Sequence, residues 1–201
     1  MPDLLVLLAF LPAALALNLT PGADMLFCLG QGVRAGSRSA WAASAGISLG
    51  GMVHVFIAGM GLGAVIAALP WAFDVIRWIG VAYLLYLAAK TLRGGASDAP
   101  EPQAVSRAFR TGFIVNLTNP KVILFVLAFV PQFVDPSRPV LLQFMVFGAV
   151  MGVGGFFING SVGAFAGTIG KRIANGSRAL DYVASSVFVA LAAKLAVLER
   201  A

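Results

Sequence analysis

Charged side chains are missing from most of this chain, and the gaps between them have the length of membrane spans. Residues 4–23 carry no charge; Asp24 follows, and then an uncharged run to Val33. Residues 39–73 and 139–170 are uncharged throughout. Residues 75–92 hold Arg77 near the start and Lys90 near the end, where long basic side chains can snorkel to the interface. Residues 109–134 form an apolar run broken by Asn119-Pro120-Lys121, and residues 182–198 contain only Lys194. A spanning helix takes roughly 20 residues, so the pattern predicts an all-α polytopic integral membrane protein with six transmembrane helices. The one plainly polar stretch, residues 94–108, reads as a linker between a three-helix unit at 1–93 and another at 109–201.

Composition sharpens this. Only 11% of the 201 residues are charged and 60% are hydrophobic, with a mean hydropathy of +0.92. Soluble domains carry about 25% charged residues, so a water-soluble globule is excluded, and little chain is left for a domain outside the bilayer. A net charge of +6 and a pI near 10.1 would suggest nucleic acid in a soluble protein. Here they reflect the bias of basic residues toward the cytoplasm, so lipid and not nucleic acid is the expected surroundings. Nine basic residues fall on the side of the 1–2, 3–4 and 5–6 connections: Arg34, Arg38, Lys90, Arg93, Arg107, Arg110, Lys171, Arg172 and Arg178. Four fall on the other: Arg77, Arg138, Lys194 and Arg200. This places the linker inside and both termini outside. The start Met1-Pro2-Asp3 lacks a basic n-region, so no cleaved leader is expected. Cys28 stands alone and forms no internal disulfide.

The two units resemble each other. Asn18-Leu19-Thr20-Pro21 returns as Asn116-Leu117-Thr118-Asn119-Pro120, 98 residues later. Gly46, Gly50 and Gly61 return as Gly148, Gly152 and Gly163 at an offset of 102, and Leu87-Ala88-Ala89-Lys90 as Leu191-Ala192-Ala193-Lys194 at 104. Each match is weak alone; three in chain order are not. A unit of three spans ends on the opposite face from its start, so the second copy is inverted. Inverted repeats around interrupted helices are the architecture of many secondary transporters, with substrate bound where the repeats meet. The pairs Gly46/Gly50 and Gly148/Gly152 have the spacing that lets helices approach closely.

The interruptions fall in spans one and four. Pro21 removes a backbone donor and Gly22 tolerates open geometry. Thr20 is the expected N-cap of a new half-helix with Pro21 at its first position; Asn119 and Pro120 read the same way in the fourth span. Fourteen residues, about 21 Å of helix, precede the first break from outside; seven residues, about 10 Å, precede the second from inside. In a core roughly 30 Å thick the breaks lie at similar depth and can face each other. Each second half-helix presents amides and partial positive charge suited to a carboxylate. Lys121 adds a full charge, and Asp24 suits an ammonium group. Asn18, Thr20, Pro21, Gly22, Asp24, Asn116, Asn119, Pro120 and Lys121 are therefore the candidate residues for binding a zwitterion such as an amino acid. Intramembrane charges also pair with one another, so Asp24 and Lys121 can instead form a structural pair, or a pair that opens when substrate enters. His54, with Asp24, is a candidate proton carrier or else a neutral hydrogen-bonder between helices; Asn159 is a weaker polar candidate.

At these residues the chain resembles the lysine exporter family, in its homoserine/threonine-resistance branch of bacterial amino-acid exporters. The likeness rests on Asn18-Leu-Thr-Pro-Gly-Ala-Asp-Met-Leu-Phe, on Gly32-Val-Arg-Ala-Gly36, on Gly80-Val-Ala-Tyr-Leu-Leu-Tyr-Leu, and on Phe113-Ile-Val-Asn-Leu-Thr-Asn-Pro-Lys121 with Pro131-Gln-Phe133. Ala23 departs from it, since the family commonly has a second proline there. The resemblance implies a multi-pass protein of the bacterial inner membrane that exports amino acids or close derivatives, driven by the proton motive force.

Two other function classes compete. An intramembrane enzyme would need a catalytic cluster, but there is no His-Glu-x-x-His and no grouped Ser, His and Asp. An exporter of a metal or other inorganic ion would want several intramembrane Cys, His or Asp ligands, and Cys28, His54 and Asp24 are few and scattered. No cofactor or resident metal is expected. Gly-rich span surfaces leave room for a homodimer.

Overall fold

Helices that are apolar on every side suit lipid on one face and protein on the other, and the first helix shows both. The computed structural model describes residues 1–68 and 104–166, together with individual positions between 75 and 92 and between 182 and 196. In α1 (Leu4–Leu19), Leu4, Leu8, Leu11 and Leu15 form an exposed stripe, while Phe10, Ala13, Ala14 and Leu17 are buried. The chain then turns into α2 (Ala23–Ala35) and the long α3 (Ser37–Ala68). α4 (Val105–Leu117) is followed by α5 (Pro120–Ala128), a 3-10 turn (Val130–Phe133) and α6 (Val140–Ala164). The described residues are thus all-helical, without a strand.

Ser37–Gly61 and Val140–Ala164 are each long and apolar enough to cross a membrane; each of the two bent helix pairs can make one more span. α1 and α2 meet at 53°, and α4 meets the segment from Pro120 to Phe133 at 52°. The chain is therefore interrupted at both proline motifs. Most of the third and sixth spans, most of the 94–108 linker, the leucine and lysine of each Leu-Ala-Ala-Lys match, and the basic residues Arg77, Lys90, Arg93, Lys171, Arg172, Arg178, Lys194 and Arg200 lie outside the described residues. The individually described positions in those two spans are helical, and Ser185 Oγ donates to the Ala88 carbonyl at 3.2 Å.

α3 lies at the centre, packed against α2, α4 and α6. Close approach of α3 and α4 explains a glycine on each: a side chain at Gly46 would overlap the Phe109 carbonyl, and one at Gly112 would overlap that of Ala43. Ser44 Oγ donates to the Phe156 carbonyl at 2.8 Å and Ser48 Oγ to that of Gly152 at 3.0 Å, so short hydroxyls join α3 to α6.

Beyond the breaks, between α1, α5 and α6, the core is aromatic. Phe10 lies 4.8 Å from Phe147 and meets Phe133 edge-on at 5.2 Å, and Phe125 lies 4.8 Å from Phe129, measured between ring centroids. A polar clasp follows at the helix ends. Arg138 donates to Asp3 Oδ1 at 2.9 Å and to the Met1 carbonyl at 3.0 Å, and pairs with Asp135 at 3.1 Å. The hydroxyl and amide of Ser137 donate to Asp135 and hold its carboxyl below the usual carboxylate range. Buried Gln143 bonds both the amide and the carbonyl of Asp135, at 2.9 and 2.8 Å.

Candidate functional site

At each break a threonine closes the helix it belongs to. Thr20 Oγ1 donates to the Ala16 carbonyl at 2.6 Å, and Thr118 Oγ1 to that of Ile114 at 3.0 Å. This corrects the expectation that Thr20 caps the following half-helix with Pro21 at its first position. α2 starts at Ala23, its N-cap is Gly22, and no side chain caps it. A threonine hydroxyl finds the carbonyl four residues back more readily than an amide across a proline. The second break follows expectation: Asn119 Oδ1 accepts from the Lys121 amide at 3.0 Å and Pro120 opens α5.

Lys121 sits in the first turn of α5, where its own helix dipole disfavours a cation. Its side chain crosses to the other break. The ammonium donates to the carbonyls of Leu17 and Thr20, both at 3.0 Å, at the C-terminal end of α1 where positive charge is favoured. Asp24 lies in the first turn of α2, where a carboxylate suits the dipole. Its Oδ2 accepts from Asn116 Nδ2 at 2.9 Å, a contact that joins the two breaks directly. The half-helices therefore meet.

Buried polar atoms are nearly always hydrogen-bonded, so exceptions mark special places. Among the described residues three buried side-chain atoms have no partner: Asp24 Oδ1, Asn116 Oδ1 and Asn119 Nδ2. All three belong to the breaks, with Asp24 only 7% and Asn116 only 3% exposed. Beside them lies a cavity of about 40 Å³. A water needs roughly 10–15 Å³ by this measure, so there is space for a substrate head group or a short side chain. Asn18, Thr20, Asp24, Asn116, Lys121 and Asn159 supply its polar lining; Leu17, Ile47, Val55 and Met151 are among its apolar residues.

Five of the residues expected from sequence thus come together here. Pro21, Gly22, Asn119 and Pro120 shape the breaks without lining the cavity. His54 is also outside the lining; its Nε2 lies 3.1 Å from the Asn116 carbonyl, behind the side chain that bonds Asp24. Each break asparagine rests against glycine of a long helix, Asn18 of α1 against α6 and Asn116 of α4 against α3. Asn18 donates to the Met151 carbonyl at 3.1 Å and would crowd a side chain at Gly154 or Gly155, at 3.0 and 3.1 Å; Asn116 Oδ1 would lie 2.9 Å from a side chain at Gly50.

The family model for LysE type translocators matches residues 15–199, a stretch that includes both breaks. The chain belongs to the LysE family. It is 37% identical over 150 residues to an uncharacterized membrane protein of Vibrio cholerae serotype O1, covering 73% of each chain. It is 35% identical over 144 residues to the homoserine/homoserine lactone efflux proteins of Salmonella typhimurium and Salmonella typhi, covering 70% of each chain. No solved structure matches. As a LysE-family protein the chain is a membrane transporter and not an enzyme, and the resemblance carried by the Thr-Pro-Gly and Asn-Pro-Lys elements holds.

Sequence reasoning missed Ser48, Gly51, Met151 and Gly155 in the cavity wall of this LysE-family transporter, undervalued Asn159, and read Gly152 as a close helix contact, although the nearest atom to a Cβ there lies at 3.8 Å. Asn159 gave a signal, a lone amide in an apolar run. A glycine's role depends on the neighbouring helix, and nothing local announces it.

Proposed function

We propose that this transporter exports amino acids or close derivatives from the cytoplasm of a bacterial cell by alternating access, in exchange for protons. The observation that carries this reading is Asp24, a buried carboxylate in the cavity wall with one oxygen committed to Asn116 and the other without a hydrogen-bond partner. Such an oxygen suits a substrate ammonium. A proton arriving from outside neutralises the carboxylate and releases the ammonium, which couples inward proton flow to outward substrate flow. His54, hydrogen-bonded to the residue that holds Asp24, is a candidate step on the proton's route. The substrate carboxylate is assigned to Lys121 and the uncapped start of α2.

Near-equal bends of 53° and 52° at matching motifs, and the reciprocal seating of Asn18 and Asn116, support two inverted units that rock about the breaks. With both termini outside, the phenylalanines around Phe10 close the outward path and the cavity belongs to a state closed on that side. Efflux proteins for homoserine and its lactone among the relatives favour a small amino-acid substrate.

The test is efflux from cells loaded with dipeptides covering every amino acid, with and without a protonophore. A set of small amino acids is expected to leave faster from cells making the protein than from cells lacking it, and the protonophore should remove the difference. Equal efflux of every amino acid from both cells overturns export; efflux indifferent to the protonophore overturns the coupling.

A further inference from the structure

Four glycines line the cavity, and their surroundings divide them into two kinds. At Gly148 a side chain would come within 2.7 Å of Val55, so packing alone requires glycine there, and at Gly155 it would come within 3.1 Å of Asn18 Oδ1, a tight contact that would have to displace the end of Asn18. At Gly51 the nearest atom to an added Cβ is Asn116 Oδ1 at 3.8 Å; at Gly152 it is the Ser48 carbonyl at 3.8 Å, with Met52 Sδ at 3.9 Å. These are ordinary van der Waals distances. Both residues lie inside helices with negative φ, where alanine is the better helix former. Neither conformation nor packing explains glycine at either position, and both border the cavity together with a carboxylate more than nine-tenths buried, one oxygen of which has no hydrogen-bond partner.

We propose that Gly51 and Gly152 are specificity-determining residues whose missing side chains set the upper size limit of the transported amino acid. The proposal rests on the export reading above. The substrate ammonium at Asp24 Oδ1 and Asn116 Oδ1 lies on the Gly51 side, and the substrate's own side chain extends toward Gly152 between α3 and α6. A methyl group at Gly152 occupies the volume that the last carbons of a longer substrate need. Short side chains therefore pass and long ones are refused, on a scale set by one or two methylenes, which hydrophobic pockets discriminate roughly 10–200-fold.

The experiment compares efflux of alanine, threonine, leucine and phenylalanine from dipeptide-loaded cells making the wild type, Gly51→Ala, Gly152→Ala or Gly152→Val. Gly61→Ala is the neutral control, since nothing lies within 4 Å of its Cβ and it is outside the cavity. Melting in detergent shows whether each variant folds. Gly152→Ala is expected to melt no lower than wild type. Among the substrates the wild type carries, it should lower efflux of the largest relative to the smallest about tenfold or more; Gly152→Val should move the limit further and Gly51→Ala should shift it in the same direction. A wild type that exports while Gly152→Ala scales every substrate by one factor, or changes none, overturns the size limit alone. A variant that loses export by unfolding overturns the claim that packing tolerates the methyl. A wild type that exports nothing overturns the export reading and the size limit with it.

Discussion

The two breaks start from nearly the same letters and bend the chain by nearly the same angle, yet they are finished differently. The second is self-sufficient: Thr118 closes α4, Asn119 caps α5, and Pro120 opens it. The first is not. Thr20 satisfies one carbonyl of α1, but α2 begins at an uncapped glycine, and the carbonyls of Leu17 and Thr20 take their hydrogen bonds from Lys121 of α5. The structural debt runs one way across the interface. Asp24 returns a contact by accepting from Asn116, but keeps an oxygen open. The difference teaches that the two charges have unlike duties: Lys121 completes a helix end as well as facing the cavity, whereas Asp24 is held ready for something else.

Lys121→Ala is the strongest way to break this asymmetry. It strips two buried carbonyls of a shared donor, and each acceptor left alone costs about 1–3 kcal/mol. Melting in detergent should fall clearly and efflux should vanish. Lys121→Arg, which retains charge and donors, should recover much of the stability but less of the transport, because a planar guanidinium does not replace a compact ammonium at one site. An alanine variant that melts and exports like the wild type would show that α1 does not depend on α5.

Asp24→Asn should separate the two duties. The amide oxygen of an asparagine can still accept from Asn116 Nδ2, so the junction between the breaks survives and melting should stay within about 1 kcal/mol of wild type. The charge is gone, and efflux should drop at least about tenfold, equivalent to 1.4 kcal/mol of lost recognition. A large loss of stability instead would place Asp24 in the same structural class as Lys121.

What the sequence made legible follows this division. The gaps between charges disclosed the helices, because a bilayer tolerates few charged residues regardless of tertiary detail. The breaks were legible because proline removes a donor wherever it stands, and the Asn119 cap because its partner is two residues away. The hydroxyl of Thr20 was misread, since it had two local choices and only geometry separates them. The reach of Lys121 across 104 residues to Leu17, the seat of Asn116 against Gly50, and the openness around Gly152 depend on which helices become neighbours. No local pattern encodes those contacts.

The smallest expected effect compares the caps themselves. Asn119→Ala removes a side-chain bond to an α5 amide and should cost about 1 kcal/mol, read as a modest drop in melting temperature with export reduced but present. Gly22→Ala at the corresponding place in the first break removes no cap, because there is none to remove. The new methyl would instead sit 3.2 Å from Lys121 Nζ, the mobile end of a long side chain that can give by a few tenths of an ångström. Its backbone is extended, with φ near −169°, and accepts alanine without strain. Gly22→Ala should therefore leave stability nearly unchanged while slowing efflux, by nudging the ammonium that serves both α1 and the cavity. If Gly22→Ala destabilises the protein as much as Asn119→Ala does, the first break has a hidden cap of its own, and the one-way dependence between the breaks is wrong.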